Sequence, residues 1–246
     1  MSSLTSSLDQ MRTDRALLDR MIEEQSLGSE FQPVVDLASG TVVAYKAIAR
    51  GPAGSIVERP AGLLTHALAT GLVDRLDWMF RCAAFDAFAA AALPGGRALF
   101  VLPEPETYGS PCPPRLAASF GRARRTLPVV VDVAPRAFDA MRRLLDMAAE
   151  VRGYGWRIAV EDCADHPNAI AGLPELRPDF VKVDLALPGR TTGSGGTAAV
   201  VAYAEGAFTT IVAESVDSSD RRTAALSMGA ELARGRVFGG PGPLPS

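Results

Sequence analysis

From residue 30 onward the chain alternates two kinds of segment. Short β-branched runs read as strands: Phe31–Val35, Thr41–Ile48, Arg97–Leu102, Pro128–Val133, Trp156–Val160, Asp179–Asp184 and Thr209–Ala213. LPVVVDV and FTTIVAE are continuously apolar rather than alternating, as parallel strands covered on both faces should be. Between the strands lie Ala-, Leu- and Arg-rich stretches at helical spacing: Pro60–Ala69, Asp74–Ala92, Pro135–Arg152, Thr197–Gly206 and Ser218–Gly229. Strands alternating with helices predict an α/β fold with a parallel sheet. The first two runs differ. FQPVV and TVVAYKAI are separated by DLASG, too short for a helical crossover, so they predict an antiparallel hairpin. A hairpin followed by repeated βα units suits a modified TIM-type (β/α)8 barrel with one antiparallel strand. A doubly wound sheet is the alternative, but no GxGxxG follows the first strand.

Residues 1–27 read as a charged helical extension and 28–246 as the main domain. The extension is either a docking element or a loosely packed lead-in. Glu104–Arg115 is Pro-rich and Leu187–Gly196 is Gly/Thr/Ser-rich, so both read as loops.

Composition narrows the function classes. The formal net charge is −3, with no long basic run, which argues against DNA and anionic membranes as partners. Cys82, Cys112 and Cys163 show no CxxC spacing and leave an odd thiol, so a reducing cytoplasm is expected rather than a disulfide framework. No apolar signal core opens the chain, and Cys82–Leu93 is too short to span a bilayer. Lysine occurs only as Lys46 and Lys182.

Barrel enzymes place their chemistry at the C-terminal ends of the strands. Here those positions carry Lys46 and Arg50, then Leu102, Asp132, Glu161–Asp162, Lys182 with Asp184, and Glu214. Acidic residues are poor strand formers, and buried charge needs a partner or a metal, so this ring of charge reads as a site. A purely structural network of ion pairs is the competing reading.

Along these residues the chain resembles EAL domains, the bacterial cyclic di-GMP phosphodiesterase family. FQPVVDLASGTVVAYKAIAR resembles the family opening YQPI-VDL-TG-I-GYEALLR, and VVVDVAP, WRIAVEDCADH and DFVKVD stand where it has V-LE-TE, IALDDFGTG and Y-LK-D. IVAESVDSSDRRTAALSMGAELARGRVFGGPGP matches the family's closing AEGVE and FG-P-P region.

The resemblance implies a two-metal Mg²⁺ or Mn²⁺ site that activates water against a phosphodiester. Read across, this set is broken. The naming glutamate is Lys46, the asparagine after the third strand is Leu102, and the fourth-strand glutamate is Asp132. The aspartate pair is Glu161–Asp162, the final glutamine is Arg234, and the FGRP arginine is Gly240. A protonated Lys46 offers no lone pair and Leu102 no oxygen, so the metals are expected to be lost. Lys46 is expected instead to balance Asp132, Asp162 and Glu214. Gln32, Arg50, Asp132, Asp162, Lys182 and Glu214 remain candidate ligand-binding residues, and no residue is assigned to catalysis.

Three functions compete on these grounds. The first is a protein-interaction module with a regulatory protein partner, and the second a cyclic di-GMP receptor. The third is a residual phosphodiesterase yielding the linear dinucleotide. The resemblance also implies a homodimer.

Overall fold

The computed structural model describes residue 13 and residues 15–24, 26–187 and 195–245. The expected loop Leu187–Gly196 and the N-terminal extension fall partly outside these. Eight strands close a barrel in chain order: β1 (Gly28–Asp36), β2 (Val42–Arg50), β3 (Ala98–Val101), β4 (Val129–Val133), β5 (Arg157–Val160), β6 (Phe180–Asp184), β7 (Thr210–Glu214) and β8 (Leu232–Ala233). β1 runs antiparallel to both β2 and β8, and the remaining neighbours are parallel. The fold is the (β/α)8 barrel with one reversed strand that the hairpin spacing implies.

The helices are α1 (residues 15–24), α2 (Pro60–Thr70), α3 (Val73–Ala90), α4 (Ala117–Thr126), α5 (Met141–Gly153), α6 (Pro167–Leu176), α7 (Gly195–Ala207) and α8 (Ser219–Ser227). Local chemistry sets several ends. Pro60 and Pro167 sit in the first turns of α2 and α6, where a missing N–H costs nothing. Ser218 caps α8 by accepting the Arg221 N–H, and Gly71 ends α2 at a φ of 68°. In α1, Leu18, Met21 and Ile22 are fully buried and belong to the main core between barrel and helices.

A second, smaller core fills the barrel itself. Val34, Ala44, Ala98, Phe100, Val130, Ala159, Phe180 and Val212 form it, with Phe100 edge-on to Phe180 at 5.5 Å. Strand side chains alternate between faces, so the residue two positions on from each of these also points inward. That one rule selects every member of the site.

Candidate functional site

Two residues beyond the inner apolar layer stand Lys46, Leu102, Asp132, Glu161, Lys182, Glu214 and Arg234, and on reversed β1 Gln32 stands two before Val34. Each of the eight strands, or the residue directly after it, thus supplies one member to a layer that closes the C-terminal mouth of the barrel. Three cations (Lys46, Lys182, Arg234) face three carboxylates (Asp132, Glu161, Glu214). The layer is neutral without any added ion.

Asp132, fully buried, is the hub. Lys46 Nζ donates to its Oδ2, and Lys182 Nζ lies 2.6 Å from its Oδ1. Lys46 also donates to Glu161 Oε1 at 2.8 Å. Lys182 reaches Glu161 Oε1 at 3.5 Å and Glu214 Oε1 at 3.4 Å, and its ammonium sits 4.7 Å above the Phe100 ring. Arg234 grips Glu214 through Nε–Oε1 at 2.7 Å and Nη2–Oε2 at 2.9 Å. Its Nη1 donates to Gln32 Oε1 at 2.6 Å, and Gln32 Nε2 donates in turn to the Gly239 carbonyl at 3.1 Å.

Backbone packing places Arg234. A Cβ on Gly235 would lie 2.1 Å from the Val216 carbonyl oxygen, so only glycine lets the chain leaving β8 press onto the chain leaving β7. The Val216 N–H to Arg234 carbonyl bond, 3.0 Å, holds that approach.

The charges shift one another. Burial alone would raise the Glu214 carboxyl, but Lys182 and Arg234 outweigh it and hold it well below 4.5. Glu161 is likewise lowered, burial being overcome by Lys46 and Lys182. Burial pulls Lys46 down, yet Asp132, Glu161 and Glu214 together hold it above 10.5. For Asp132, burial prevails over Lys182 and Lys46 and raises the carboxyl.

The sequence reading needs two corrections here. Lys46 hydrogen-bonds Asp132 and Glu161, not the expected Asp132, Asp162 and Glu214, and Glu214 acts on it only through space. Strand alternation is the cause: Glu161 follows Ala159 into the barrel, whereas Asp162 stands where the chain leaves the strand, at φ 21° and ψ 57°. Arg234, read only as a degenerate position, is the third cation of the layer. Its partner follows from the register: β7 and β8 pair in parallel with Val212 opposite Leu232, which sets Arg234 beside Glu214.

The other candidates lie around this layer. Arg50 ends β2 opposite Gly28, and its guanidinium pairs with Glu30 Oε2 through Nε at 2.9 Å and Nη2 at 2.8 Å. Leu102 is half-buried and borders an apolar cavity of about 180 Å³ with Leu63, Leu76 and Phe80. Gly240 has open space where a side chain would project. Among the described residues, no cluster of three or more His, Cys, Asp or Glu could hold a metal ion.

Known proteins with this architecture share the fold closely. The EAL domain of FimX from Xanthomonas citri, solved in complex with c-diGMP, superposes with a TM-score of 0.81 at 17% identity, covering 98% of this chain and 97% of that one. The PaMucR phosphodiesterase, solved as a c-di-GMP complex, gives 0.76 at 20% identity over 95% and 98%. Klebsiella pneumoniae BlrP1, solved with manganese and cy-diGMP, gives 0.71 at 25% identity over 88% of this chain and 56% of that one. No curated protein sequence matches the chain. No helix among the described residues is long and apolar enough to cross a membrane. The EAL domain family model matches residues 15–241, nearly the whole length, and the chain therefore belongs to the EAL domain family.

Proposed function

We propose that this chain is a non-hydrolysing EAL protein that regulates a protein partner in cytoplasmic cyclic di-GMP signalling. The observation that carries the reading is the neutral layer of three cations and three carboxylates across the barrel mouth. A divalent metal does not fit this donor set. Both Asp132 oxygens face ammonium groups, both Glu214 oxygens accept from Arg234, and Leu102 offers no donor. Hard cations such as Mg²⁺ need several open oxygens in near-ideal geometry. A second cation beside Lys46 and Lys182 would be repelled in a poorly screened site. The Lys46 ammonium supplies the positive charge between Asp132 and Glu161, so the layer needs no ion to be stable.

The same arrangement ties up the groups that a nucleotide would need. Both ends of the Gln32 amide are engaged, and Arg50 is held by Glu30. This favours the interaction module over the receptor. One observation keeps the receptor reading alive: the Arg50 side chain is 26% exposed, so a phosphate could displace Glu30 from it.

Titration calorimetry with cyclic di-GMP, with and without Mn²⁺, together with chromatographic assay of the linear dinucleotide, tests the proposal. No turnover and no effect of Mn²⁺ on the binding heat are expected. Clear turnover by the unaltered protein sinks the non-enzyme reading. Tight binding with no turnover replaces the interaction module by the receptor.

A further inference from the structure

The chain's only two tryptophans, Trp78 and Trp156, wall one cavity of about 60 Å³ between α3, α4, α5 and the outer side of β3 and β4. Phe120 lies edge-on to both, at 5.0 Å from Trp78 and 6.1 Å from Trp156. Around this aromatic space stand hydrogen-bond donors without acceptors. The Trp156 Nε1–H and the Tyr108 hydroxyl belong to side chains more than nine-tenths buried, and neither has a partner among the described residues. Arg81 lies 3.8 Å over the Trp78 ring and sets Nη2 at 2.6 Å from Asp77 Oδ2, which leaves its Nε buried and unpartnered. Burial and the nearby Asp77 raise the Tyr108 hydroxyl, so it keeps its proton at neutral pH. Burying a donor unanswered is costly, and three of them around one cavity call for an acceptor held in common.

The side-chain oxygens that line the same cavity are already engaged. Ser110 Oγ accepts the Trp78 N–H at 3.1 Å, and Thr107 Oγ1 donates to Asp77 at 2.9 Å. Glu150, exposed at the solvent end, accepts the Tyr154 hydroxyl. A water molecule brings two hydrogens of its own and needs two to four polar partners, so it would leave hydrogens against aromatic carbon. A simple anion needs donors alone. The volume is about twice the ~30 Å³ share of one water in the liquid, enough for a halide and far too small for a nucleotide. Arg81 brings positive charge to the cavity, and Asp77 holds that guanidinium in place.

We propose that this cavity is a halide site, taking one chloride ion between Trp156 Nε1, Tyr108 Oη and Arg81 Nε. Asp77 also accepts the Glu104 N–H at 3.2 Å, so ion, Arg81 and Asp77 form a line of contacts that braces the segment following β3. The site is separate from the charged layer and stands whatever that layer binds.

Tryptophan fluorescence reads the site directly, because both tryptophans line it. Bromide quenches indole emission and chloride does not. Bromide titrated against gluconate at constant ionic strength should give saturable quenching, and chloride should reverse it. Trp156→Phe and Tyr108→Phe should each raise the half-saturating bromide concentration about tenfold, the scale of one hydrogen bond to an ion. Tyr108→Phe also separates the site from the scaffold. In gluconate it should melt no lower than the wild type, since its hydroxyl has no partner to lose. In chloride the wild type should melt higher than in gluconate, and the variant should gain less. Linear, unsaturable quenching overturns the proposal, and so does quenching that chloride fails to reverse or that both variants leave unchanged. A wild type that melts identically in the two salts overturns it as well, and assigns the cavity to water. A Tyr108→Phe protein that melts lower in both salts would show that the hydroxyl is bonded within the chain, with the same consequence.

Discussion

Arg234 and Glu214 form a two-point ion pair at the barrel mouth, with both carboxylate oxygens accepting from one guanidinium at 2.7 and 2.9 Å. The same guanidinium holds Gln32, so it joins the first strand to the last two. Arg234→Gln removes the charge and leaves Glu214 to Lys182 alone. Losing one partner of a buried pair costs about 3–5 kcal/mol. Because Arg234 is partly open to water, a loss at the lower end, about 3 kcal/mol, is expected in urea unfolding. A double-mutant cycle with Glu214→Gln should return a coupling of about 1–3 kcal/mol, whereas additive losses would mean that the pair contributes nothing.

Lys46 is the internal counter-ion of Asp132 and Glu161. Lys46→Met should destabilise the fold by about 3–5 kcal/mol, since it strands buried carboxylate. Lys46→Glu should be worse at neutral pH, because it turns a balanced layer into one with two surplus negative charges. It should restore no hydrolysis, because Leu102 still offers no oxygen. Denaturation midpoints and a dinucleotide assay check both halves, and a stable, active Lys46→Glu protein would contradict the account.

The acid limb of stability should track Glu214 and Glu161. Both carboxyls are held below 4.5 in the folded protein, so the unfolded chain binds protons more readily as pH falls. Their contribution is complete above about pH 4.5 and is lost as pH drops through their folded values. Lys46 has the opposite sign: held above 10.5, it stabilises fully below that pH and less as pH rises further. Asp132, being raised, offsets part of the acid loss. Unfolding midpoints between pH 3 and 7 should therefore fall in the wild type and vary less in Glu214→Gln, which starts lower at pH 7. Parallel curves for the two proteins would remove Glu214 from the explanation.

Glu30 competes with any anion for Arg50. Glu30→Ala should raise affinity for cyclic di-GMP by about tenfold or more, the scale of one charge-assisted hydrogen bond freed for phosphate. Arg50→Ala should abolish that gain. Equal binding by wild type, Glu30→Ala and Arg50→Ala would place the ligand away from β2.

The barrel was legible because hairpin spacing and continuously apolar runs are local signals. The chemistry at the strand ends was legible because acids and lysines interrupt those runs. What escaped was short or atypical. β8 is only Leu232–Ala233, too brief for any period to show, and α4, with Phe120 and Ala123 among three arginines, reads as polar. α6 carries Pro174 inside it, a residue that ordinarily argues against a helix. The partner of Lys46 escaped for a different reason: Glu161 and Asp162 are adjacent in sequence, and only knowing which residues face inward separates them. The pairing of Arg50 with Glu30 depends on β1–β2 register, which places Gly28 opposite Arg50 and so brings Glu30 within reach.

The reversed first strand makes this architecture late to complete. β1 is held on one side by β2, its neighbour in sequence, and on the other by β8 together with the bridge from Phe31 to Gly242. During synthesis, one edge of β1 and the free edge of β7 stay open until residues 232 to 242 arrive. Glu214 meanwhile has no Arg234. A nascent or shortened chain ending before residue 232 would expose two unsatisfied strand edges and leave Glu214 to Lys182 alone, and open strand edges recruit chaperones and seed aggregation.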